Sequence, residues 1–160
     1  MTDWSQLPSQ IPTDSESDAV FGQPASEEEI SRIEGELGVR FPAELRSLYG
    51  TFNGFGVPYP GWSDDDVMWL VPPLSRLPSL RGDFQEAVSE THPDVASRYL
   101  PVIDYANGDT AGYLIDEQGI AADGIFSFEH ESFEVRSDQP LDEFIQPAAE
   151  KLADLLIPDE

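Results

Sequence analysis

The stretch RIEGELGVRFPAELRSLYGTFNGFG, Arg32 to Gly56, constrains the fold more than any other part of the chain. It reads as the end of one helix, a short break, a second helix and an abrupt stop. The first helix starts at Ser26, with Glu29 three residues on, the spacing of a capping box. Glu27, Glu28 and Glu29 fill its first turn, where the helix dipole favours anions. Ile30, Ile33 and Leu37 recur at helical spacing, and Gly38 supplies the stop. Phe41-Pro42 opens the second helix, whose apolar stripe is Leu45, Leu48, Tyr49 and Phe52, and Asn53-Gly54 ends it.

The remaining segments favour strands. VMWLV, Val67 to Val71, is a short apolar run closed by Pro72-Pro73. Before it, GFGVPYPGWSDDD reads as a Gly- and Pro-rich loop. A short helix is expected near Asp83 to Ser89. LPVIDY, NGD and GYLID read as a hairpin around a tight Asn107-Gly108 turn, and GIFSFEHESFEVR adds one or two strands. The tail PLDEFIQPAAEKLADLLI reads as a helix through Leu141, Phe144, Ile145, Leu152, Leu155 and Leu156, kinked or split by Pro147. Residues 1–24 show no period and are expected to form an acidic, loosely ordered arm pinned by Trp4 or Phe21, with residues 25–160 as a single domain. The order predicts an α+β fold: an antiparallel or mixed sheet packed with an N-terminal helix pair and a C-terminal helix.

Composition narrows the function. Eight basic against thirty-two acidic residues leave a net charge of −24, which opposes direct binding of nucleic acid or anionic membrane. The same charge favours a basic protein partner and fast, salt-sensitive association with it, or else serves solubility and salt tolerance. There is no cysteine, which removes disulfides, thiolate metal sites and a Cys nucleophile. No apolar run approaches the roughly 20 residues of a membrane helix. The N-terminal MTDWSQLPSQ lacks the basic-then-apolar order of a secretory signal, so a cytoplasmic location is expected.

The sequence nominates no catalytic, cofactor-binding or metal-binding residues. His92 precedes Pro93 in a polar stretch and reads as a surface or capping residue. His130 stands between Glu129 and Glu131, but strand alternation would put it on the opposite face from both. Asp64, Asp65 and Asp66 lack the spaced ligands and glycine of a calcium loop. NGFG and ANGDTAG lack the lysine and strand-to-helix context of a phosphate loop. Tyr59 and Trp62, beside the Asp run, either anchor an interface or fold back over the second helix.

The opening stretch resembles the pattern of the SUKH superfamily of Smi1/Knr4-like immunity proteins. The matching residues are Ile33, Glu34, Leu37, Gly38, Phe41, Pro42, Leu45, Tyr49, Asn53 and Gly54. Farther on, VMWLVPPLSRL, the hairpin with Val102, Gly108, Asp109 and Asp116, the His130-Glu131 pair and the Phe-containing closing segment resemble later parts of the family, in the same order. The resemblance implies a non-catalytic α+β domain without a cofactor that neutralises a cognate toxin, often a nuclease. A regulatory or scaffold module binding a cellular protein is the alternative. A nuclease toxin tends to be basic because it holds phosphates, so the acidity of this chain converges with the resemblance. The expected partner surface comprises Tyr59, Trp62, Asp64, Asp65, Asp66, Asp104, Asp109, Glu129 and Glu131, on loops and strand ends. The helix-pair motif residues are expected to be structural, with Gly38 and Gly54 supplying positive φ at helix ends.

Overall fold

The computed structural model describes residues 4–6, 20–58, 67–105, 108–122 and 124–156. Tyr59, Trp62, Asp64, Asp65, Asp66 and Asn107 lie outside them. The described chain is an α+β domain with two antiparallel sheets and five α-helices.

Helix α1, Glu27–Leu37, is capped as its sequence requires: the Ser26 Oγ accepts from the Glu29 amide at 3.1 Å. It buries Ile30 and Ile33, and Gly38 ends it with φ 70°. Helix α2, Ala43–Thr51, follows Pro42 and buries Leu45, Leu48 and Tyr49. Glu34 staples the two helices together. Its Oε2 accepts from the Phe41 amide at 2.8 Å, and its Oε1 pairs with Arg46, whose guanidinium also reaches Glu27. The Arg46 pKa is raised, first by the hydrogen bond to Glu34 and less by that to Glu27.

The end of α2 organises the first sheet. Strands β1 (Val20–Phe21), β2 (Phe55–Pro58) and β3 (Val67–Val71) pair antiparallel in that order. The expected loop from Gly54 onward therefore begins as a strand. Gly54, at φ 91°, turns the chain tightly enough for Phe55 to enter the sheet between β1 and β3. Asn53 fixes that turn: its amide donates to Gln23 O at 3.0 Å, and its Oδ1 accepts from the Leu74 amide at 2.8 Å. Behind it, the buried Tyr49 hydroxyl donates to Pro72 O at 2.8 Å, and burial pushes its pKa up. Part of the N-terminal segment is also packed on the domain: Trp4 is 1% exposed, and its indole N–H donates to Glu44 O at 3.1 Å.

Helix α3, Leu77–Val88, is longer than the sequence reading and begins with Pro78 in its first turn, where the missing amide is tolerated. Helix α4, Pro93–Arg98, leads into the second sheet: β4 (Tyr99–Asp104), β5 (Thr110–Leu114), β6 (Ile125–Phe128) and β7 (Ile145–Ala149), all antiparallel neighbours. The tail departs from expectation here. Leu141–Glu143 is a 3-10 turn, Ile145–Ala149, read as helix, is an edge strand, and Leu152–Leu156 forms the α-helix α5. Pro147 explains this: it disfavours helical geometry at Gln146, and its missing amide is harmless on an edge strand.

The main core joins both helices of the N-terminal pair to the two sheets, through residues such as Ile30, Leu48, Val71, Leu100 and Tyr113. A second cluster, Phe84, Val88, Val95, Ala96, Tyr99, Phe128, Phe144 and Ile145, lies between α3, α4 and the second sheet.

Candidate protein-docking site

The second cluster ends in an open cleft of about 370 Å³ between α3, the tip of the β4–β5 hairpin and the turn after β6. Helix α3 supplies Leu80, Asp83, Phe84 and Ala87 at successive helical spacings. The hairpin supplies Asp104, Gly108 and Thr110, and the turn after β6 supplies His130 and Phe133. Phe84 and Phe128 are buried beneath the cleft with their rings edge-on, 5.0 Å between centroids. Asp83 is exposed and Asp104 half-buried, while the Phe84 and Phe128 rings belong to the core.

The wall containing the hairpin is latched. Asp109 Oδ1 accepts from the His130 amide at 2.9 Å and meets His130 Nδ1 at 2.6 Å. Desolvation pushes the Asp109 pKa up, but the hydrogen bonds from the His130 amide and ring, with the ring's charge, outweigh it and leave the pKa lowered. The ring also lies against Gly108, where a Cβ would stand 2.8 Å from His130 Cγ. His130 thus faces the hairpin from a 3-10 turn, His130–Ser132, and not from a strand as the sequence reading had it. Beside the cleft, Tyr105 is 42% exposed, and its pKa is raised by desolvation and then by the Asp109 charge.

The loop behind Phe133 is held from both ends. Gln139 is 3% exposed: its side chain donates to Ser132 O at 2.6 Å and accepts from the Glu134 amide at 2.8 Å. His92 Nε2 lies 2.8 Å from Gln139 O, and its ring meets Phe144 edge-on at 4.9 Å. At the tip, Val135 has φ 54° and is 63% exposed.

Of the expected partner surface, Asp104 and Asp109 therefore come together at one hairpin, and Asp104 lines the cleft. Glu129 and Glu131 flank His130 and are exposed. The Glu129 amide donates to Phe144 O at 3.0 Å, and its side chain accepts from Ser132 Oγ at 3.2 Å. The sequence reading missed Asp83, Leu80, Phe84 and Phe133. The first three were legible as one face of a helix, had α3 been started at Leu77. Phe133 follows the 3-10 turn, and no period announces it.

The chain matches the SMI1 / KNR4 family (SUKH-1) over residues 24–147. It belongs to that family. The matched span runs from just before the Ser26 cap to the middle of β7, and so includes the stapled helix pair, the Asn53-Gly54 turn and every wall of the cleft. No individual curated protein matches the chain significantly. No helix among the described residues is long and apolar enough to cross a membrane.

Proposed function

We propose that this SUKH domain is a non-catalytic immunity protein that binds and neutralises a basic protein toxin, a nuclease being the best fit, inside the cell that makes it. The observation that carries the reading is a net charge of −24 on a member of this family. A nuclease cleft is built to hold phosphates with Lys and Arg, and a polyanionic domain competes for it without chemistry of its own. A field of that size also accelerates capture, which an inhibitor of a lethal enzyme needs. The cleft edged by Asp83 and Asp104 supports a protein partner, because it sets carboxylates beside apolar surface, as protein interfaces do.

The test is affinity capture from the source cell's lysate and secreted fractions at low salt and at about 0.5 M, where the Debye length is roughly 4 Å. One basic protein is expected, weakened by salt, whose toxicity disappears when this chain is co-expressed. Capture of a non-toxic cellular protein would favour a regulatory or scaffold module instead. Capture of many partners, or none, at both salts would assign the charge to solubility and refute the inhibitor reading.

A further inference from the structure

We infer that Val135, at the tip of the connection between β6 and β7, is a preformed anchor that enters an apolar recess rimmed by cations on the partner protein. The inference rests on the proposed partner being a basic protein, and it names where that partner is gripped. Val135 has the one positive φ, 54°, found outside glycine among the described residues. A β-branched side chain is strained there. At 63% exposure it is also the most exposed of the large hydrophobic residues described, so burial within this chain returns little of that cost.

Strain of this kind persists only where the surroundings impose it. Here they do so at both neighbours of Val135. The buried Gln139 accepts from the Glu134 amide at 2.8 Å, donates from Nε2 to Ser132 O at 2.6 Å, and donates from its own amide to Arg136 O at 3.2 Å. The Arg136 guanidinium pairs with Glu134 and with Asp138, the latter at 3.0 Å. The tip is therefore fixed before a partner arrives, which removes an ordering cost from binding. Its surroundings name the partner's chemistry. Between Glu129 and Phe144 the connection carries six aspartates and glutamates, all exposed, against Arg136 and His130. An apolar tip in an acidic surround complements cations around an apolar recess. A second copy of this chain would bring like charge instead.

The test uses the absence of cysteine: Ser137→Cys, exposed and two residues from Val135, is then the sole site for a benzophenone maleimide. The labelled full-length protein is mixed with the source cell's lysate and secreted fractions, irradiated, and its adducts identified by mass spectrometry. One basic protein is expected. Its yield should fall at least tenfold from V135N/S137C, and from a probe placed instead at Gln118, exposed on the turn after β5. With that protein purified, Val135→Asn should weaken binding about tenfold, the worth of burying a valine side chain, while Ile120→Asn, 48% exposed on the turn after β5, should leave it unchanged. A urea midpoint for Val135→Asn at or above that of the parent shows that the loss is not unfolding. No adduct from position 137, equal adducts from 137 and 118, or an adduct indifferent to Val135→Asn would overturn the anchor and leave the toxin reading to the capture experiment. An adduct that needs Val135 but proves non-toxic would keep the anchor and refute the toxin reading.

Discussion

Gly54→Ala tests whether the Asn-Gly turn is the joint on which the fold hangs. At φ 91° an alanine is strained by roughly 1–2 kcal/mol before any contact is counted. Its Cβ would then stand 2.6 Å from Val71 O and 2.8 Å from Pro73 N, closer than real Cβ contacts come. Both neighbours are backbone, so relief requires moving one strand of the sheet. The bonds in the way are Gly22 N to Gly54 O at 2.9 Å, Asn53 N to Gln23 O at 3.0 Å and Leu74 N to Asn53 Oδ1 at 2.8 Å. Losing two of them at about 1 kcal/mol each brings the expected destabilisation to about 3–4 kcal/mol, against a total stability of order 10. Urea denaturation followed by circular dichroism should show the midpoint falling by about 2 M, for a slope near 2 kcal/mol/M. Gly35→Ala is the control: it lies exposed on α1 with nothing within 4 Å of its new Cβ, and should gain about 0.5–1 kcal/mol. A loss below about 1 kcal/mol for Gly54→Ala, or an equal loss for the control, would show that the turn bears no special strain.

Tyr49→Phe should cost about 1–3 kcal/mol in the same urea experiment, because it leaves the buried Pro72 carbonyl without its donor. Val135→Asn should raise the stability by up to about 1 kcal/mol, since a β-branched residue is strained at φ 54° and asparagine tolerates that region. The Asp109 latch has a defined pH sense. Its folded pKa lies below the ordinary 3.8, so its contribution is present above that pH and is lost as pH falls through the lower folded value. The His130 amide resonance, bonded to Asp109 Oδ1, should therefore move with a midpoint below 3.8, and Asp109→Asn should abolish the transition.

The N-terminal helix pair was legible because each signal is local: a Ser26 cap, three glutamates in the first turn, apolar spacing and terminal glycines. The tail was misread because Phe144 and Ile145 satisfy a helical count while the partner that makes Ile145–Ala149 a strand, β6, lies about twenty residues away. The same limit applies to the cleft. Asp104 and Asp109 stood out as hairpin acids, but their opposite wall, Asp83 and Phe84, comes from a helix that only tertiary packing brings there. Asp64, Asp65 and Asp66, the most conspicuous acids in the sequence, fall outside the described residues.

The way the cations are used sharpens what the charge is for. Of eight basic residues, Arg46 and Arg136 each lie between two carboxylates, Arg81 donates to Leu37 O and Ser97 O, and Arg98 donates to Ile115 O. Half of the basic side chains are thus engaged in holding this chain's own backbone and acids. The net charge of −24 acts at a distance on any basic partner. The cleft acts only on contact. The two contributions separate kinetically: neutralising scattered surface glutamates such as Glu28 and Glu36 should slow association and flatten its salt dependence, with dissociation little changed. D83N/D104N should instead speed dissociation, because changes to short-range interface contacts act mostly on the off-rate. If both sets of variants changed only the association rate, the acidity would be a steering device alone and the cleft would be no anchor.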